Sequence, residues 1–168
     1  MLLQNDHPDG EMHSPALAVE ERCPLAGLLA PARVVVNLDL SSRDELLAVA
    51  ARCVDGIEHL SRAEVFDALV ARERLCATAL GKGIAIPHAR LERLRETLGV
   101  YLRSRSPVPF DAPDGRGVTD AFVLLVPEHA TEEHLMILAR LGELFADRQF
   151  RETLRACEDP GTIVRLFR

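Results

Sequence analysis

Gly81-Lys82-Gly83-Ile84-Ala85-Ile86-Pro87-His88-Ala89-Arg90 is the stretch on which the fold of this chain turns. Its two glycines admit backbone angles that other residues avoid, so a tight turn opens it. Ile84, Ala85 and Ile86 form a short apolar run suited to a buried strand. Pro87 ends the run, because it fixes its own φ and has no N–H to give to a sheet. His88 follows at once, so a rigid strand end delivers an imidazole to the rim of a sheet. From Leu91 to about Thr97 the residues favour a helix, whose first N–H groups would attract an anion. The plainer reading of His88 is a loop or capping residue; the glycine turn and the proline stop favour a fixed, working side chain instead.

Upstream, Leu25–Ala30 is expected to form a short turn of helix and Arg33–Leu38 the first strand. Ser42-Arg43-Asp44-Glu45 and Ser61-Arg62-Ala63-Glu64 are both capping-box patterns. Behind the first, Leu46, Leu47, Val49, Ala50 and Val54 recur at helical spacing up to Gly56. Behind the second, Val65, Phe66, Leu69 and Val70 give an apolar face to a helix that runs to about Arg74. Arg72 lies in its last turn, where a cation complements the helix dipole whatever else it does.

Downstream, Leu98, Val100 and Leu102 alternate with Gly99, Tyr101 and Arg103, which predicts a strand with one wet face. Ser104 to Val118 is rich in Pro, Gly and Asp and is expected to be a long surface loop. Asp120–Val126 is almost wholly apolar, as a strand covered on both faces would be. Thr131 is expected to cap a helix on which His134, Leu138, Leu141 and Phe145 share one face. Asp147 and Asp159 can cap two further short helices, the last opened by Pro160. Strands and helices mix without strict alternation, so the fold class is α/β (α+β): a mixed sheet flanked by helices in a single domain, residues 23–168. Residues 1–22 lack periodic apolar content and read as a flexible extension, in which His7 and His13 carry no metal role.

At 168 residues with a net charge of −6 and no block of consecutive basic residues, the chain is poorly suited to nucleic acid or an anionic membrane. Its single tyrosine and absent tryptophan leave little to stack on bases. Cys23, Cys53, Cys76 and Cys157 are scattered, which suits free thiols in a reducing cytosol better than a disulfide framework or a zinc site. No apolar run reaches the length of a membrane span and no signal pattern opens the chain, so a cytoplasmic protein without direct membrane insertion is expected.

Several chemistries fit poorly. His88, His129 and His134 match no helix-borne metal motif such as His-Glu-x-x-His, so neither a metal nor another cofactor is expected. There is no Gly-x-Ser-x-Gly elbow, and Gly81-x-Gly83 is not continued as a dinucleotide fingerprint. Lys82 reads as solvated, and His59 and His129 as loop residues. His134, on an apolar face, reads by itself as a core histidine bonded to a backbone carbonyl.

The sequence Gly-x-Gly-Ile-Ala-Ile-Pro-His resembles the active-site signature of the fructose/mannitol/nitrogen-type enzyme IIA domains of the bacterial phosphotransferase system. Arg72-Glu73, Thr78, Gly81 and Gly83 resemble that family's lead-in, and Ala121–Pro127 with Glu133-His134-Leu135 its second block. The resemblance spans about Leu25 to Arg168. It implies a phosphohistidine carrier: His88 accepts phosphate, generally on Nε2, and Arg72, Thr78 and His134 line the site. Gly83 and Ala89 join them as phosphate-binding positions, their backbone set by the signature. The implied donor is an HPr-type carrier protein; the acceptor or partner is a IIB domain or a regulatory target. A stand-alone regulatory IIA protein is favoured over a subunit of a sugar permease, and a non-catalytic binding module is the contrasting reading. Relatives often have Gly-Ser where this chain has Cys76-Ala77, so one small hydroxyl is missing beside the pocket.

The chemistry suits the residue. Neutral imidazole with a free lone pair is plentiful near neutral pH, whereas serine would need a separate base. The transferred group carries dispersed negative charge, so positioning and electrostatic stabilisation would do the catalytic work.

Overall fold

The computed structural model describes residues 23–130 and 132–168. The expected flexible extension and the capping role of Thr131 fall outside those residues. One mixed sheet contains β1 (Leu29–Leu38), β2 (Ala79–Gly81), β3 (Ile84–Ala85), β4 (His88–Leu91), β5 (Leu98–Val108) and β6 (Val118–Pro127). Its order is β1-β5-β6-β3-β2, with β4 also pairing β6. Helices α1 (Arg43–Cys53) and α2 (Arg62–Leu75) precede β2, and α3 (Glu132–Ala146), α4 (Arg148–Ala156) and α5 (Pro160–Leu166) end the chain. The expected mixed sheet flanked by helices is the architecture found.

Parity along β6 divides the core. Ala121, Val123 and Leu125 point to one face and pack with Leu46 and Leu47 of α1 and Val65 and Leu69 of α2. Phe122, Leu124 and Val126 point to the other and pack with Ile137 and Leu141 of α3, Leu154 of α4 and Ile163 of α5. Because both faces are covered, the strand reads as continuously apolar rather than alternating. The helix starts follow the serine and aspartate caps: Ser42 accepts from Glu45 N, Ser61 from Glu64 N, Asp147 from Gln149 N and Asp159 from Thr162 N. The reciprocal arm of the first capping box lands one residue early, since the Glu45 carboxylate takes the N–H and hydroxyl of Ser41.

Several expectations need correction. Residues 91–97 form no helix; β4 runs to Leu91, turns follow, and the Glu58 carboxylate takes the N–H of Arg95 at 2.6 Å. Leu25–Ala30 is a turn that passes directly into β1 at Leu29. The strand at residue 98 continues to Val108, with Pro107 accommodated where the register with β6 is irregular, so the loop is only 109–117. The face of β5 carrying Gly99 and Tyr101 is not wet. Phe167 covers Tyr101, with ring centroids 5.8 Å apart, and a Cβ on Gly99 would lie 2.8 Å from the ring of Phe122.

The central motif is effectively one strand broken at one point. Ile84 and Ala85 lie opposite Asp120 and Ala121, and His88 and Ala89 opposite Leu124 and Leu125. The register is therefore the same on both sides of Pro87. The carbonyls of Gly83 and Pro87 face β6, accepting from the N–H groups of Asp120 and Leu124. That of Ile86, between them, is turned to the opposite edge.

Candidate active site

His88 opens β4 on the face that carries α3, at the sheet edge reached by the end of α2. Arg72 Nε donates to His88 Nε2 at 3.1 Å, and His88 Nδ1 lies 2.9 Å from the carbonyl oxygen of Ile86. A guanidinium can only donate. Nε2 must therefore be the acceptor and Nδ1 the protonated nitrogen, which donates to Ile86. This assigns the tautomer: the Nε2 lone pair is presented outward, and a backbone carbonyl freed by the break at Pro87 fixes the ring.

Arg72 joins the helix end to the histidine. Its Nη1 donates to the carbonyl of Cys76, the residue that ends α2, at 3.0 Å, while its Nε reaches the histidine. His134, in the first turn of α3, is 6% exposed and faces His88 with ring centroids 5.3 Å apart. Its Nδ1 is shielded and has no partner among the described residues, in contrast to the carbonyl-bonded core histidine. A proton on Nε2 would leave that shielded atom as a bare lone pair, which is less costly to bury unpaired than an N–H. Burial, with help from the Arg72 and Arg90 charges, holds the His88 imidazolium below its ordinary pKa, against the Ile86 bond that favours it. Burial likewise lowers His134, followed by the charge of His88 and those of Arg90 and Arg72. Both shifts favour the neutral imidazole.

These residues line one open cleft of about 610 Å³ together with Ala89, Arg90 and Leu75. Arg90 has no motif of its own in the sequence, although it lies two residues from His88 and so on the same face of a strand. Its Nη1 rests on the carbonyl of Glu128. Thr78 and Gly83 lie outside that lining. The Thr78 hydroxyl and N–H both donate to Glu73, at 2.6 and 2.9 Å, and all three groups are shut away from solvent. Glu73, part of the motif's lead-in, ties the end of α2 to the strand that leads to His88. Gly83 has φ +80°, and lies at the other end of β3 beside Arg155.

A lone pair at a pocket with two nearby guanidinium groups and a second imidazole suits capture of an electrophile with dispersed negative charge. Residues 28–168 match the family of the phosphoenolpyruvate-dependent sugar phosphotransferase system, EIIA 2. The chain is 35% identical over 140 residues to the nitrogen regulatory protein of Bradyrhizobium diazoefficiens, covering 83% of this chain and 92% of that one. It is 40% identical over 133 residues to that of Pseudomonas aeruginosa, covering 79% and 86%. The crystal structure of the nitrogen regulatory protein IIA-Ntr from Neisseria meningitidis superposes with a TM-score of 0.81 at 38% identity, over 84% of this chain and 97% of that one. The chain belongs to the EIIA 2 family of the phosphoenolpyruvate-dependent phosphotransferase system, among relatives that include nitrogen regulatory IIA proteins.

Proposed function

We propose that this protein is a phosphohistidine carrier in which His88 Nε2 takes a phosphoryl group from an HPr-type protein. The observation that carries this reading is the pair of bonds on one ring, Ile86 to Nδ1 and Arg72 to Nε2. In the transfer, the Nε2 lone pair attacks phosphorus, and the bond from phosphorus to the donor's nitrogen breaks with its electron pair leaving on the donor. The Nδ1–H stays on the Ile86 oxygen, which steadies the positive charge the ring acquires. Arg72 Nε–H loses its acceptor as the new bond forms and turns to a phosphoryl oxygen. His134 Nε2–H and Arg90 supply further contacts from the walls, and Ala89 leaves room below. Thr78 acts through Glu73, holding the end of α2 in place, and Gly83 serves by its backbone alone.

The phosphorylation state would govern binding to a regulatory target. This is supported by the nitrogen regulatory relatives and by the exposed Leu75, Leu135 and Met136 on the two helices that flank His88. The sugar-system family description favours a second reading, transfer onward to a IIB domain. The test is reconstitution with phosphoenolpyruvate, enzyme I and an HPr-type carrier, read by intact mass. A gain of one phosphate in the wild type and none in His88→Ala is expected. No gain with any matched donor would overturn the carrier reading. Release of that phosphate to a IIB domain would favour transport over regulation.

A further inference from the structure

A second cleft, of about 580 Å³, lies at the far end of the motif strand from His88. Asp120 is at its base, four rungs along β6 from the partner of His88, or roughly 13 Å at strand spacing. Its walls carry Lys82 from the β2–β3 turn, Arg103 from β5, Arg116 from the 109–117 loop and Arg155 from the end of α4. Four cations thus face one carboxylate, in a chain whose net charge is −6.

That carboxylate is already occupied. Asp120 is 1% exposed and accepts from the Tyr101 hydroxyl at 2.6 Å, the Thr119 hydroxyl at 2.8 Å and Arg155 Nε at 3.0 Å. A further acid, Asp114, is turned onto the backbone N–H groups of Lys82 and Arg116, at 2.7 and 3.1 Å, and fixes the turn to the loop. The cations are less committed. Arg103 spends its terminal nitrogens on the carbonyls of Leu154, Arg155 and Cys157, while its Nε is shielded without an acceptor among the described residues. Arg155 uses Nε on Asp120 and Nη2 on the carbonyl of Lys82. The Lys82 ammonium and the Arg116 guanidinium make no hydrogen bond or ion pair among the described residues. Gly83 makes room for this arrangement, since a Cβ there would come within 3.2 Å of Arg155 Nη2.

We propose that this cleft binds a small molecule bearing at least two phosphoryl groups. Lys82 and Arg116 each bring an uncommitted cation to it, so two negative groups match them better than one. The volume falls in the range of small-ligand sites. No aromatic side chain lines the cleft to stack a base, and the negative charge of the whole chain opposes a polynucleotide. The inference goes beyond phosphoryl carriage at His88 and does not rest on it.

The test is calorimetric titration of the full chain with inorganic pyrophosphate, at low and at physiological salt. Saturable binding that weakens with salt is expected in the wild type and in Arg72→Ala/His88→Ala. In Lys82→Ala/Arg116→Ala, affinity is expected to fall by at least about tenfold. Both substituted side chains are exposed and hold no partner, and an unchanged unfolding midpoint would show that the fold is intact. The proposal is overturned if the wild type shows no saturable binding. It is equally overturned if binding is lost in the Arg72/His88 variant and kept in the Lys82/Arg116 variant, which would move the anion to the histidine pocket. Binding of an RNA oligonucleotide that pyrophosphate fails to displace would also overturn it.

Discussion

Arg72→Lys separates a catalytic arginine from a helix-end cation more sharply than loss of the histidine would. Arg72 keeps Nη1 on the Cys76 carbonyl and points Nε at His88 Nε2, with Nη2 unpartnered among the described residues. Once Nε2 carries a phosphoryl group its lone pair is gone. Nε and Nη2 then form one edge of the guanidinium facing two phosphoryl oxygens, while Nη1 stays anchored. Lysine has one nitrogen and cannot hold the carbonyl and that edge together. One to two charge-assisted bonds, each worth about 1.5–3 kcal/mol, are lost, and the retained charge recovers part of the deficit. A net loss of about 2–3 kcal/mol in the transition state makes transfer roughly 30- to 150-fold slower. Rapid-quench single-turnover transfer from a phosphorylated HPr-type donor measures this directly. Stability should change by less than about 1 kcal/mol, because lysine still complements the helix end. A rate within about threefold of wild type, with the fold intact, would refute the reasoning and leave Arg72 as a cap. Arg72→Gln, which also removes the charge, should let the His88 pKa rise toward its ordinary value, as read by imidazole nitrogen NMR.

Two further outcomes follow from the buried polar groups. Both active-site histidines have folded pKa values held below the unfolded one, so the unfolded chain binds more protons as pH falls through about 6.5. Stability to urea should therefore decline between about pH 7 and 5.5, and the slope should flatten in His88→Ala/His134→Ala; a wild type already flat over that window would contradict the neutral pair. Tyr101→Phe removes the hydroxyl that donates to buried Asp120, whose charge, after burial itself, is what pushes the Tyr101 pKa upward. Losing a bond to a charged acceptor should cost about 1.5–3 kcal/mol, lowering Tm by roughly 3–10 °C in a thermal scan, and a change below about 0.5 kcal/mol would show that Thr119 and Arg155 suffice.

Much of the architecture is legible where local chemistry dictates it. The serine and aspartate caps and the unbroken apolar run of β6 each act through the backbone of their own segment and are found where expected. Pro87, by contrast, interrupts the motif strand without ending it, since pairing with β6 resumes at His88. The misread segments are those decided by distant partners. Glu92, Arg93, Arg95 and Glu96 favour a helix locally, yet Leu91 belongs to β4 and Leu94 is drawn into the core beneath. Tyr101 alternates with apolar neighbours as an outward residue would, but the chain returns with Phe167 to cover it. At the site, His88 and Arg72 stood out through the motif and the helix end. The part played by Glu73 did not, since a carboxylate at a helix terminus shows its burial only once Thr78 folds back onto it. Arg90 was within reach of strand parity, had β4 been read as a strand.

The unchanged register across Pro87 makes the length of the motif a matter of phase as much as distance. Side chains on a strand point to alternate faces, so residue count decides which layer each one enters. Ile84 and Ile86 enter the layer of α3 and α5, Ala85 and Ala89 that of α1 and α2, and His88 shares the parity of the isoleucines. One residue gained or lost between Ala85 and His88 would turn the imidazole toward α2 and away from His134, with every hydrogen bond of β6 still available. Exchange of one isoleucine for valine or leucine would leave the phase untouched. Tolerance in this stretch is therefore wide for side-chain shape and nil for chain length, as in a vernier whose graduations may be worn but never shifted.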